Sequence, residues 1–475
     1  MEPSEFRQHG YALVDWIADY LTNSDRYPVL PRVVPGQVRD ALPSAAPERG
    51  ESFQEIFADF ERLIVPALTH WNHPGFFAYF ATTGSAPGVL AEFLSAALNQ
   101  QAMLWRTSPA ATELEELSLG WLRELLGLPS SFEGVIYDTA SVSTLHALAA
   151  AREGAIPGVR QHGLSGRRDV AGVRVYCSEQ AHSSVDKAVI LLGLGHESLV
   201  RIATDDRFRM RADLLSDAIA ADRERGLIPI AVVATLGTTS TTSLDPVGDI
   251  ADICERHRVW LHVDAAYAGV TAMLPSYRPL FAGWERADSI VVNPHKWLFV
   301  PVDLSAFYCR RGDLLRQAFS LVPDFLQTPE GRAGTRNLMD TGIQLGRRFR
   351  ALKLWMVLRH FGAEGLRAIY EEHLRLAALF ARWVDEDADF ERLAPVPFSV
   401  VCFRARPAGA AHDERDLDAL NERLLDAVNR SGEVFLSHTR LRDRMALRLA
   451  IGHLRTTEEH IARAWSLLRE GIKSL

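Results

Sequence analysis

Two residues of opposite chemistry stand 32 positions apart, each at the end of an apolar run. LHVDAAYAG carries Asp264 and VVNPHKWL carries Lys296. A carboxylate at a buried strand end needs a partner, because an unpaired buried charge is costly. A lysine amine beside it can attack a carbonyl and hold it covalently. A third segment, CSEQAHSSV, supplies the imidazole of His182. A fourth, GVIYDTASVSTLHALAAAR, reads as a strand running straight into a helix. The first amides of that helix face the strand ends, with the Thr139 and Ser141 hydroxyls beside them, and such a helix start favours a phosphate. Taken singly, each feature also has a structural reading: Asp264 as a helix cap, Lys296 as a solvated lysine, His182 as a satisfied histidine, the Thr/Ser pair as a cap.

What must position these groups is legible from the hydrophobic pattern. Short β-rich runs (GVIY, VRVYC, IAVVATLG, VWLHVDAAY, SIVVN and SAFYC) alternate with helical segments from about residue 86 onward. Near-continuous Val/Ile content in such runs predicts a mostly parallel sheet covered on both faces, with ligands at the carboxyl ends of its strands. Before it, SEFRQHGYALVDWIADYL reads as an amphipathic helix with Ser4 as N-cap, followed by an arm carrying Pro28, Pro31, Pro35, Pro43 and Pro47. Such a helix and arm cannot enclose an apolar face alone, so they pack either on the main body or, as the pattern favours, around a second subunit. After it, SVVCFRAR and MALRLAIG read as strands of a smaller α+β segment. The expected division is 1–85, 86–353 and 354–475.

Composition narrows the function. The 475 residues are 47% apolar and 24% charged with a net charge of −8, which argues against nucleic-acid and anionic-membrane partners. Cys177, Cys254, Cys309 and Cys402 are far apart, with no CxxC pair and no metal-ligand spacing. They read as reduced thiols of a cytoplasmic protein that holds no metal. No leader pattern opens the chain and no 18-residue apolar run occurs, so secretion and membrane spanning are not expected.

An amine, a carboxylate, an imidazole and a phosphate cradle at the strand ends of one sheet match the needs of pyridoxal 5′-phosphate. The motifs HVDAAYAG and NPHKWL, with THWNHPGFFAYF, SPAATELE, TASVSTLHALAAAR, QAHSSV, ATLGTT and LGRRFRALKLW, resemble the group II pyridoxal-phosphate decarboxylases, specifically the aromatic L-amino acid decarboxylase family. The resemblance runs nearly end to end. It implies an α/β, fold type I enzyme with a mostly parallel seven-stranded sheet flanked by helices, an N-terminal helical dimerisation arm and a small C-terminal α+β domain. It further implies a homodimer with active sites at the subunit interface. Lys296 corresponds to the Schiff-base lysine, Asp264 to the partner of the pyridine nitrogen, and His182 and Ala266 to residues against the two ring faces. Thr139, Ala140, Ser141, Asn293 and His295 correspond to the phosphate surroundings, and Thr239 lies near substrate and cofactor. Trp71, Tyr79, Phe80, Ala81 and Thr82 correspond to the side-chain pocket, and Met103 and Leu104 to a segment reaching the neighbouring subunit's site. Gly346 corresponds to a pocket position where glycine leaves room for a larger ring, or serves only close packing. One departure is YDTAS, where Tyr137 and Asp138 stand at positions that are small in many members.

A second departure concerns the product. In the family a loop tyrosine 29 residues after the Schiff-base lysine protonates Cα, and here that position is Phe325. Plant aromatic aldehyde synthases resemble the decarboxylases and carry phenylalanine there. Two outcomes therefore stand. One is decarboxylation of an aromatic L-amino acid to the arylalkylamine, with His182 or water supplying the proton. The other is decarboxylation coupled to oxidative deamination by O2, giving the aryl acetaldehyde. An aminotransferase is disfavoured because it needs an arginine clamp on the carboxylate and a different motif set. Intact Lys296, Asp264 and His182 count against a non-catalytic relative. The residues do not separate tryptophan or phenylalanine from tyrosine or DOPA.

Overall fold

The architecture comes from a computed structural model that describes the chain except residues 171, 323–325, 333, 408–412 and 475, and the side chain of residue 332. Phe325 therefore lies outside the described residues. The chain divides into two compact units, one of residues 1–86, 376–393 and 401–475, the other of residues 87–375 and 394–400. The N-terminal segment thus clusters with the C-terminal one rather than standing apart as an arm. The reason is backbone pairing within that unit: Phe77 N–H donates to Phe435 O and Ala450 N–H to Phe77 O, each near 2.9 Å. The expected boundary at 353/354 falls inside the helical stretch Ala351–Glu386, which breaks only at Gly362 (φ 62°).

The larger unit is built on seven strands: β1 (Glu133–Tyr137), β2 (Val173–Ser178), β3 (Leu199–Ile202), β4 (Ile228–Thr235), β5 (Trp260–Asp264), β6 (Ser289–Val292) and β7 (Ser305–Cys309). Their order is β1-β7-β6-β5-β4-β2-β3. β7 runs antiparallel to both neighbours while β2 to β6 pair in parallel, so β1 points the same way as β6. The carboxyl ends of β1, β2, β4, β5 and β6 therefore share one edge. Helix Ala140–Ala155 covers the sheet with Ala147, Leu148, Ala150 and Ala151, packed against Val175, Val233 and Phe307. Its run of alanines lets it lie close, and burial of this layer is the main apolar term holding the unit together. The smaller unit carries an antiparallel sheet of β8 (Phe390–Arg392), β9 (Val400–Ala405), β10 (Ser437–Leu441) and β11 (Arg444–Ala450), ordered β10-β11-β9-β8. The two-residue turn between β10 and β11 puts Arg442 and Asp443 at φ 51° and 63°, the left-handed pair that suits a tight hairpin.

The N-terminal helix spans Pro3–Thr22 and starts two residues earlier than expected. Its N-cap is Glu2, locked with Glu5 in a capping box, so Ser4 lies inside the helix. No residue of that helix is buried in the single chain. Cys177, Cys254, Cys309 and Cys402 are all buried thiols outside any disulfide. Among the described residues no helix is long and apolar enough to cross a membrane, and no His/Cys/Asp/Glu cluster could hold a metal ion.

A buried ion pair ties the start of the larger unit together. Glu115, on helix Pro109–Leu126, accepts from the Arg347 guanidinium at 2.7 Å and from Ile136 N–H at 2.8 Å. Arg347 also donates to the carbonyls of Ile136 and Ala102. These added hydrogen bonds offset part of the pair's desolvation. Arg347→Met leaves a buried unpaired carboxylate, and the expected loss is about 3–5 kcal/mol, read as a lower urea midpoint at unchanged slope.

Candidate active site

The shared edge of the sheet brings five strand ends into one cleft. Parallel register sets Thr235 beside Asp264 and Asp264 beside Val291. Asp264 points to the face covered by helix Ala140–Ala155, as does His262 two residues before it, whose Nε2 lies 3.5 Å from Thr144 of that helix. One Asp264 oxygen accepts from Ala266 N–H at 3.0 Å, which fixes the carboxylate at the strand end. Past β6, Asn293 N–H bonds Ala266 O and Lys296 N–H bonds Asn293 O, so the turn carrying the lysine is pinned to the turn after Asp264.

His182 completes the polar group. Its Nδ1 accepts from Ser184 N–H at 3.1 Å and lies 3.0 Å from Ser184 Oγ, so the neutral ring carries its proton on Nε2. The ring opens to solvent, yet the surrounding protein lowers its pKa, chiefly by desolvation. The Asp264 carboxylate opposes that shift and the Lys296 ammonium adds to it, so both charges lie close enough to act on the imidazole. Burial and the Lys296 charge push the His295 pKa down to about 3. Leu304 N–H donates to His295 Nδ1 at 2.9 Å, which leaves the proton on Nε2, 3.3 Å from the Asn293 amide.

The loop after β4 holds Thr239 through local chemistry. Gly237 sits at φ 100°, and a Cβ there would stand 2.6 Å from Ala268 Cβ, so only glycine fits the turn. Thr238, Thr241 and Ser243 lock the loop by hydroxyl contacts of 3.1 and 2.7 Å. Behind the lysine, Trp297 stacks on Tyr267 at 4.7 Å and donates from Nε1 to His373 at 2.9 Å.

These residues fit an aldehyde cofactor that carries a phosphate. The His295 Nε2–H needs the Asn293 amide oxygen as its acceptor, which leaves the Asn293 NH2 buried without a partner among the described residues, a donor suited to an anion; Thr235 Oγ1 beside Asp264 is likewise unpartnered. No side chain caps the start of helix Ala140–Ala155 at Thr139, which leaves first-turn amides for an anion. Asp138 is accounted for locally: one oxygen accepts from Thr139 N–H at 2.6 Å and the other from the Gln344 amide at 3.3 Å.

Comparison with known proteins agrees. Residues 35–406 match the family described as the pyridoxal-dependent decarboxylase conserved domain. The chain belongs to the pyridoxal-phosphate decarboxylases. This decarboxylase is 40% identical over 99% of its length to phenylacetaldehyde synthase of Arabidopsis thaliana, covering 96% of that protein. It is also 40% identical to aromatic-L-amino-acid decarboxylase of Sus scrofa, covering 99% of this chain and 96% of that one. A crystal structure of Oryza sativa TDC with PLP and tryptamine superposes with a TM-score of 0.96 at 36% identity, covering 100% of this chain and 99% of the other. The protein is a pyridoxal 5′-phosphate-dependent carboxy-lyase of the aromatic amino acid group.

Of the residues singled out in the sequence, Thr139, Ala140, Ser141, His182, Thr239, Asp264, Ala266, Asn293, His295 and Lys296 all lie at this edge, in the turns and the helix start that follow β1, β2, β4, β5 and β6. Trp71, Tyr79, Phe80, Ala81 and Thr82 belong to the other unit. There Trp71 stacks on Phe76 at 4.4 Å, Tyr79 takes φ 50°, and the Arg448 guanidinium lies over the Phe80 ring at 4.7 Å. Leu104 is buried in its own chain in a cluster with Leu326 and Met339, and Met103 packs on that cluster. Gly346 is exposed, and its nearest neighbour is the Gln101 side chain rather than any member of the Lys296 group. Sequence reasoning missed Thr235 and His262. The period-two step from Asp264 back to His262 was available, but Thr235 needs the inter-strand register.

The lowered pKa of His182 gives a pH expectation. The neutral ring, and any stability it carries, persists above the ordinary histidine value of about 6.5 and is lost only as pH falls below it. The acid limb of kcat/KM assigned to this imidazole should therefore lie below about 6.5 and vanish in His182→Gln. An acid limb above that value, retained in the variant, contradicts the assignment.

Proposed function

We propose that this decarboxylase converts an aromatic L-amino acid to its arylalkylamine and CO2. The observation that carries the reading is the convergence on one sheet edge of Lys296, Asp264 and His182 with an Asn293 amide that keeps one buried, unpartnered polar atom. When bound, the cofactor supplies a conjugated ring that takes up the electron pair of the broken C–CO2 bond. Lys296 supplies the amine that holds the cofactor's aldehyde. Asp264, fixed by Ala266 N–H, keeps a proton on the ring nitrogen. His182, with its proton on Nε2, and the small Ala266 side chain would border the two faces of the cofactor ring. Thr139, Ala140, Ser141, Asn293 and His295 hold the phosphate through neutral donors, and Thr239 borders the substrate. Within the larger unit, Met103, Leu104 and Gly346 are the positions that the family resemblance assigns to the aromatic side chain.

A second reading rests on Phe325, which lacks the hydroxyl a proton donor needs, and on the similarity to a phenylacetaldehyde synthase. In that reading the amino acid, O2 and water yield the aryl acetaldehyde, CO2, ammonia and hydrogen peroxide. Incubation with tryptophan, phenylalanine, tyrosine and DOPA separates the two. Amine formed without oxygen uptake supports the decarboxylase; peroxide stoichiometric with CO2 supports the synthase. Phe325→Tyr restores a general acid, and the amine-to-aldehyde ratio should rise by about 10²-fold or more. An unchanged ratio removes the second reading.

The homodimer is likewise a proposal. Helix Ala86–Leu98 exposes Leu90, Phe93, Leu94 and Leu98 along one side, and the N-terminal helix exposes Phe6 and Tyr11. Apolar stripes of this kind are what a second copy would cover. Sedimentation at micromolar concentration should give twice the 52.9 kDa chain mass, and a monomer there would refute it. The buried thiols suit a reducing compartment, and we place the enzyme in the cytoplasm.

A further inference from the structure

The Tyr137–Asp138 pair has no role in the chemistry above, and neither does His146, two turns into the phosphate-side helix. His146 meets the chain on both sides of the segment that carries position 325, and Tyr137 and Asp138 meet its far side. On the far side, the Tyr137 hydroxyl donates to Thr341 O. His146 Nε2 accepts from Ile343 N–H at 3.3 Å, and Asp138 accepts from the Gln344 amide at 3.3 Å. On the near side, the His146 ring packs edge-on against Phe319 at 4.5 Å, and it also packs edge-on against Tyr137 at 4.3 Å. Ser320 then reaches across to Asp340 at 2.9 Å, joining the two stems directly.

The fit is close. A Cβ at Gly342 would stand 2.9 Å from His146 Cε1 and 3.1 Å from Tyr137 Cε1, so the far stem passes flat against both rings. Burial holds the His146 pKa down at about 3, so Nε2 stays an acceptor across the working range. With Nε2 accepting, the proton sits on Nδ1, which is buried without a partner among the described residues. An unmet buried donor is a real cost, and it is borne where the Ile343 contact is made. The same strand end serves the cofactor side, since Asp138 also accepts from Thr139 N–H and His295 contacts the Asp138 backbone.

We infer that Tyr137, Asp138 and His146 are positioning residues that couple the phosphate cradle at Thr139 and His295 to both stems of the segment carrying residue 325. This rests on the proposed placement of the cofactor phosphate. Occupancy of the cradle fixes Asp138 and the first turn of the helix, and through them Thr341, Ile343 and Gln344.

The test is limited proteolysis between residues 321 and 337, where trypsin can cut after Arg332 or Arg336, on enzyme with pyridoxal phosphate bound and after its removal. Cofactor binding is measured separately by fluorescence quenching. In the parent the bound cofactor should slow cleavage about 5-fold or more, the effect of roughly one hydrogen bond. In Tyr137→Phe and His146→Leu cleavage should be faster and that protection should fall towards 1, with His146→Gln, which keeps an acceptor, restoring it. Gly342→Ala serves as a variant of the stem itself and should behave like Tyr137→Phe. Cleavage of the variants at the parent's rate overturns the inference. Equal acceleration with and without cofactor also overturns it, because a purely structural anchor would leave the ratio untouched. If the parent binds no cofactor, the functional reading fails instead, and the cofactor-free rates alone decide whether the stems are held by these residues.

Discussion

A slip of one residue between β4 and β5 would turn Asp264 to the opposite face of the sheet, because side chains alternate along a strand. The register that sets Thr235, Asp264 and Val291 side by side is therefore the constraint on which the site depends. It is enforced by burial. His262 and Asp264 share a face, and His262 lies between Ser289 and Thr144, so a slipped strand would strand a buried imidazole as well as a carboxylate. Antiparallel β7 adds to this, since it lets the chain leave the Lys296 turn and return at once as the neighbour of β6.

The aromatic stack behind the lysine converts register into rigidity. Tyr267 follows Ala266 and Trp297 follows Lys296, so the face-to-face contact of these rings joins the two turns that matter most. Tyr267 is itself tethered by its hydroxyl, 2.7 Å from Ser399 Oγ. A group that must hold a cofactor in one orientation gains from such support, because catalytic efficiency falls steeply with misplacement.

The strand ends were legible because apolar β-branched runs stop abruptly at charged or hydroxyl residues, and because HVDAAYAG and NPHKWL leave little choice of chemistry. β3, with its sequence LVRI, went unread: four residues at a sheet edge with an exposed arginine carry too little pattern. β8 and β10 were missed for the same reason. The N-cap shifted from Ser4 to Glu2 because Glu5 closes a capping box that composition alone does not rank above serine. The two-unit division depends on pairing of Phe77 with Phe435 and Ala450, contacts more than 350 residues apart, which no local window registers.

The buried cysteines bear on chemical endurance. Desolvation raises the Cys177 and Cys309 pKa values to about 12 and that of Cys402 to about 11, and lifts Cys254 as well. The thiolate is the form that reacts with peroxides. A catalyst that generated an oxidant with every turnover would thus find almost no oxidisable sulfur anion within its own fold, and would be spared self-inactivation by that route.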